Sequence, residues 1–164
     1  MKVSIIAAVS ADGFIARQTH ELVDWSSKED KKVFVKLTKR AGVMVMGRTT
    51  YETIGRPLPG RKTVVYSHSM SPQEGITITQ ADPRQLLSEL ETEGYSEVAI
   101  CGGSTIYDLF LRASLVTDIY LTVEPIIFGS GVSLFTSPAD IRLNLKEVDH
   151  LAENVILLHY EVYN

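Results

Sequence analysis

The run Val45-Met46-Gly47-Arg48-Thr49-Thr50-Tyr51-Glu52-Thr53-Ile54-Gly55-Arg56-Pro57-Leu58-Pro59-Gly60-Arg61-Lys62 constrains the fold of this chain more than any other stretch. It joins a strand end, a glycine turn, a helix start and three arginines, Arg48, Arg56 and Arg61. The apolar residues from Val43 to Met46 read as a buried strand, Gly47 permits a tight turn, and Thr49 or Thr50 can cap the short helix that follows. Backbone N–H groups and Arg48 then converge on one point, an arrangement suited to an anion such as a phosphate. Gly-Arg-Thr-Thr alone is equally compatible with an ordinary strand-to-helix turn carrying solvated arginines, because short motifs match by accident.

A second junction repeats the pattern. Glu97 to Cys101 reads as a strand running into Gly102-Gly103-Ser104-Thr105, after which Ile106, Phe110 and Leu111 supply a helical face with Tyr107 one position past Ile106. Paired glycines before a helix start let the backbone approach a pyrophosphate, although they can also serve close helix–strand packing. Neither the GxGxxG fingerprint nor a phosphate-binding Walker lysine motif is present. Two such junctions in one small alternating chain suit a dinucleotide with two phosphates and a ribose phosphate.

With 164 residues the chain is expected to form one domain, 1–164, large enough to bury roughly two thirds of its unfolded surface. A formal net charge of −4 leaves no broad electrostatic footprint for nucleic acid or an anionic membrane, so any anion site must be local. The single cysteine, Cys101, excludes an intrachain disulfide, and no Cys/His cluster suggests a metal. Both observations fit a reducing cytoplasm, with Cys101 as a small buried apolar residue. Val3 to Val9 is too short to span a membrane and reads as a buried strand.

Asp12-Gly13 marks a turn, and the polar segment that follows, as far as Trp25, reads as an exposed loop of the length lids have. A helix is expected from Ser26 or Ser27 to about Arg40, with Asp30 on the same face as Phe34 and Leu37. A carboxylate on an apolar face tends to mark a site. Asp30 could instead close a capping box with Ser27, unless Ser26 and Glu29 form that box and free Asp30 to face inward. Lys62 to Tyr66 is a strand whose end carries Ser67 and His68, a place suited to a ligand or simply to strand-end capping. Ile76 to Thr79 is a short strand, Asp82-Pro83 opens a helix to Glu93, and Asp118 to Val123 is a strand closed by Glu124-Pro125. Leu145 to Leu151 and Val155 to Val162 form a terminal hairpin. The fold class is therefore α/β: a mainly parallel, twisted central sheet of about eight strands, an antiparallel C-terminal edge hairpin, and helices on both faces.

Over nearly its whole length the chain resembles dihydrofolate reductase. The long Met46 to Lys62 motif, the paired-glycine motif Cys101 to Tyr107, and the order of Trp25, Asp30, Phe34 and Thr122 carry the resemblance. It implies a cytoplasmic NADPH-dependent reductase that converts 7,8-dihydrofolate to tetrahydrofolate by hydride transfer to C6 and protonation at N5. Asp30 is implied as the acid of the pterin pocket, braced by Thr122, with Trp25 at the end of a lid that closes over the nicotinamide. Ile6, Phe34, Ile54, Leu58 and Tyr107 are implied to line the substrate pocket, and Arg61 to pair with the glutamyl α-carboxylate of the substrate. Backbone groups of Ala8 and Ile15 would hold the nicotinamide carboxamide, near Cys101 and Gly102. Gly47, Arg48, Thr49, Thr50, Gly103, Ser104, Thr105 and Ile106 would grip the pyrophosphate, and Arg48, Ser67 and His68 the adenosine 2′-phosphate.

The segments Ser10 to Ala16 and Phe128 to Phe135 also resemble the reductase domain of riboflavin biosynthesis, which makes an aminopyrimidine ribose phosphate the alternative substrate. Lys31 and Cys101 stand where the family usually has apolar side chains. Further implied partners are antifolates such as methotrexate or trimethoprim. No metal, nucleic acid or membrane partner is implied, and the assembly is a monomer or a homodimer.

Overall fold

The computed structural model describes residues 1–163. Eight strands form one sheet, in the order β5-β4-β3-β6-β1-β7-β10-β9. These are β1 (Lys2–Ser10), β3 (Val43–Gly47), β4 (Lys62–Tyr66), β5 (Ile76–Thr79), β6 (Glu97–Ile100), β7 (Asp118–Glu124), β9 (Leu143–Ala152) and β10 (Val155–Val162). Pairing is parallel from β5 through β7, whereas β10 runs antiparallel to both β7 and β9. The expected parallel sheet with an antiparallel edge hairpin is therefore found. The second hairpin strand has the expected bounds, whereas β9 is longer than the sequence pattern indicates, because polar residues interrupt its apolar alternation.

Strand periodicity builds two cores. Val3 and Ile5, Val43 and Val45, Val64, and Val98 and Ile100 point to one face, where α3 (Pro83–Thr92) and α4 (Ser104–Arg112) cover them with Leu86, Leu90 and Phe110. Their neighbours Ile6, Met44, Met46, Val65 and Ala99 point to the other, under Leu37 and Ala41 of α1 (Lys28–Ala41) and Tyr51 of α2 (Arg48–Ile54). Strands buried on both sides have to be continuously apolar, as β3 is.

One element has no counterpart in the sequence reading. β2 (Phe14–Ala16) and β8 (Val132–Ser133) form a separate two-stranded antiparallel sheet. Asp12 reinforces it by accepting from the amides of Phe128 and Gly129 at 3.1 and 2.7 Å and from the Ser10 hydroxyl at 2.7 Å. A three-residue strand has too little alternation to stand out from a loop.

Candidate active site

The carboxyl ends of β3 and β6, adjacent strands, place the two glycine junctions side by side. Gly47 donates to the Gly102 carbonyl at 2.8 Å, and Cys101 to the Val45 carbonyl at 2.8 Å. Gly102 has φ +108°, a conformation that strains any other residue, and a Cβ there would crowd the Tyr107 hydroxyl at 3.1 Å. At Gly47 a Cβ would lie 3.2 Å from Ile106, which lets α2 and α4 approach closely. The Gly102–Gly103 peptide is cis.

The helix N-termini divide into two kinds. Side chains cap α1 and α3, through Ser27 and Asp82, whereas α2 and α4 begin at Gly47 and Gly103 with no side-chain cap hydrogen bond. The first residues of both helices line a common cleft, and a helix start carries partial positive charge. Thr49 and Thr50, expected as possible caps, line the cleft and do not cap α2.

The cleft has a volume of about 1490 Å³. Pockets for a single drug-sized ligand run to roughly 1000 Å³, so this cleft is larger than one such ligand needs. Its walls include Ile6, Ala8, Ile15, Asp30, Phe34, Gly47, Arg48, Thr49, Thr50, Ile54, Leu58, Ser67, His68 and the run Cys101 to Tyr107. Arg48 donates to the Ser69 hydroxyl at 2.7 Å. His68 lies 3.0 Å from Gln80, and the Ser67 hydroxyl accepts from the amides of Ser69 and Met70, so Ser67 also serves the local strand-end cap. Buried Cys101 has its thiol pushed up to about 12 by burial, which keeps it neutral. Tyr107 donates to the Ile6 carbonyl at 2.9 Å, tying α4 to β1 under the cleft floor.

Three residues expected at the site lie off its wall. Thr122 is buried behind Asp30. Trp25 packs edge-on against Phe128 with ring centroids 5.0 Å apart, facing a smaller pocket away from the main cleft. Arg61 runs beneath α1 and donates to the Thr38 hydroxyl, while its buried Nε has no partner among the described residues. Lys31, next to Asp30, does line the cleft.

Asp30 is half-buried, and burial pushes its carboxyl above the usual carboxylate range. The hydroxyls of Thr122 and Ser26 oppose that shift, the negative charge of Glu124 adds to it, and Lys31 counters it weakly. The Ser26 hydroxyl is buried without a partner at strict hydrogen-bond geometry, so its effect on Asp30 is that of a nearby dipole. A carboxyl placed this way takes up a proton more readily than an exposed aspartate, in a mostly apolar pocket formed with Ile6, Phe34, Ile54 and Leu58. Glu124 is the site residue that sequence reasoning missed. It registered only as a strand end before Pro125, and the one signal available was an acid at the carboxyl end of a mostly apolar strand.

Residues 2–128 match the family model described as dihydrofolate reductase. The chain belongs to the dihydrofolate reductase family. Among curated relatives, the dihydrofolate reductase of Buchnera aphidicola is 35% identical over 123 residues, covering 74% of this chain and 71% of that one. The Bacillus subtilis protein YwjB, itself uncharacterised, is 26% identical over 170 residues and 97% of both chains. A crystal structure of a pyrimidine reductase-like protein from Corynebacterium diphtheriae superposes with a TM-score of 0.82 at 17% identity, covering 99% of this chain and 92% of that one. The sheet and helix arrangement is thus the dihydrofolate reductase fold, and membership supports an oxidoreductase acting on a small molecule. Among the described residues no helix is long and apolar enough to cross a membrane.

Proposed function

We propose that this protein reduces 7,8-dihydrofolate to 5,6,7,8-tetrahydrofolate with NADPH. The observation that carries the reading is Asp30: a half-buried carboxyl with a raised pKa, in the same cleft as two uncapped helix N-termini. NADPH would supply the hydride delivered to C6 of the pterin. The residues suited to hold it are Gly47, Arg48, Thr49 and Thr50 at one junction, Gly103 to Ile106 at the other, and Ser67 and His68 toward a 2′-phosphate. The chain's own part in the chemistry is to bind, exclude water and manage a proton. Ile6, Phe34, Ile54 and Leu58 give the pterin an apolar slot that holds the reacting faces together. Asp30 bonds the ring amidine and favours protonation at N5, and Thr122 braces it from behind.

A second reading, reduction of an aminopyrimidine ribose phosphate, draws support from three features. The turn at Asp12 is tied to the 128–129 loop, Lys31 offers a cation at the substrate end of the cleft, and Arg61 is engaged with Thr38 and does not line the wall. Spectrophotometric oxidation of NADPH with each substrate in turn decides between them, and methotrexate inhibition probes the pterin slot. Under the leading reading dihydrofolate is the better substrate, and Asp30→Asn lowers kcat by about 10²- to 10⁴-fold while NADPH affinity stays within about twofold. Wild-type turnover in that variant would sink the role given to Asp30.

A further inference from the structure

The N-terminus of α1 is closed by a residue from a distant element. Ser27 is the N-cap, and its hydroxyl oxygen accepts from the Asp30 amide at 3.1 Å. Its own amide and hydroxyl both donate to one carboxylate oxygen of Glu124, at 2.8 and 2.7 Å. Glu124 ends β7, is only 3% exposed, and lies 97 positions further along the chain. In a capping box the acid at the third helical position reaches back to the amide of the cap residue. Asp30 occupies that third position, yet Glu124 takes the Ser27 amide.

We propose that Glu124 is a positioning residue for Asp30: by taking the amide and hydroxyl of Ser27, it leaves the Asp30 carboxyl turned to the cleft and not folded back on its own helix. The inference rests on the reading of Asp30 as the acid of the cleft. Its physical content is a division of labour between two acids at one helix start. The buried one, accepting two hydrogen bonds, satisfies the helix end and carries charge there. The other is left facing the cleft, near that charge. The groups facing Asp30 are Thr122 and Glu124 from β7, Tyr107 from α4, and Ser26 and Lys31 from its own segment. Among them Glu124 alone brings a second negative charge close, and like charges disfavour joint ionisation. Removing the Glu124 charge therefore moves the Asp30 titration downward, and removing the acceptor moves it further, because the freed Ser27 amide then bonds the Asp30 carboxylate.

Glu124→Gln keeps an oxygen for both Ser27 hydrogen bonds and loses the charge. Glu124→Ala loses both. Carbon-13 NMR of protein labelled at aspartate carboxyls, with the Asp30 resonance assigned by its disappearance in Asp30→Asn, reads the titration without reference to activity. The expected result is a lower Asp30 midpoint in Glu124→Gln and a lower one still in Glu124→Ala. The acid limb of the kcat/KM profile moves in the same direction, and kcat drops roughly tenfold or more in the alanine variant. An Asp30 midpoint no lower in Glu124→Ala than in Glu124→Gln overturns the proposal, even if the melting temperature falls, since that is all a structural cap would do. A midpoint that moves in a protein reducing neither dihydrofolate nor the aminopyrimidine overturns the reductase reading and leaves the positioning role standing.

Discussion

A carboxyl that is easier to protonate in the fold than in the unfolded chain leaves a signature in stability. Burial raises the Asp30 pKa, so its contribution favours the fold below the ordinary aspartate value of about 4 and is lost as pH rises through the folded value. Asp30→Asn is therefore expected to melt higher than the parent protein at neutral pH, with the gap closing in acid. Scanning calorimetry across that range checks it, and an advantage independent of pH would exclude ionisation as the cause. Asp30 was recognisable because a charged residue shares a helical face with Phe34 and Leu37. Which acid caps the helix was not, since Ser26-x-x-Glu29 and Ser27-x-x-Asp30 both satisfy the local grammar and the decision came from Glu124, remote in sequence.

Among the elements, the β2–β8 pair shows how a segment read as a lid is anchored. Gly131 has φ +157°, and a Cβ on it would sit 2.2 Å from the Ala16 carbonyl oxygen, too close for any side chain. Gly131→Ala is expected to cost about 1–3 kcal/mol through backbone displacement and to expose the 128–133 segment to limited proteolysis. Denaturant unfolding with timed protease digestion measures both effects, and a variant as stable and as resistant as the parent would show that the strands separate freely. The long elements were legible because each carries a continuous apolar run or a helical stripe. The residues of β2 and β8 take their extended form from each other and from the carboxylate of Asp12, so local pattern could not reveal them.

For the molecule as a whole, the end of the sheet away from the cleft is held by polar contacts joining five elements. Asp118 of β7 lies 2.6 Å from the His159 ring of β10 and 3.3 Å from Lys2 of β1, and Arg40 of α1 pairs with Glu97 of β6. Burial alone would push the Asp118 carboxyl up. The hydrogen bonds from His159 and Thr117 and the charge on Lys2 outweigh it and leave its pKa lowered. Its stabilising contribution is thus present above about pH 4 and lost as pH falls through the folded value. Asp118→Asn should cost about 1–3 kcal/mol at neutral pH and progressively less in acid. Urea midpoints at several pH values test this, and a deficit that persists in acid would contradict it. By itself the sequence determined the α/β class, the two anion-suited junctions and the acid on α1, because these follow from periodicity, glycine placement and residue type within short windows. Tertiary structure alone decided that the junctions share one cleft, that Arg61 and Trp25 lie off its wall, and that Glu124 stands behind Asp30. Those facts depend on strand order and on contacts between residues far apart in the chain, and no local preference encodes them.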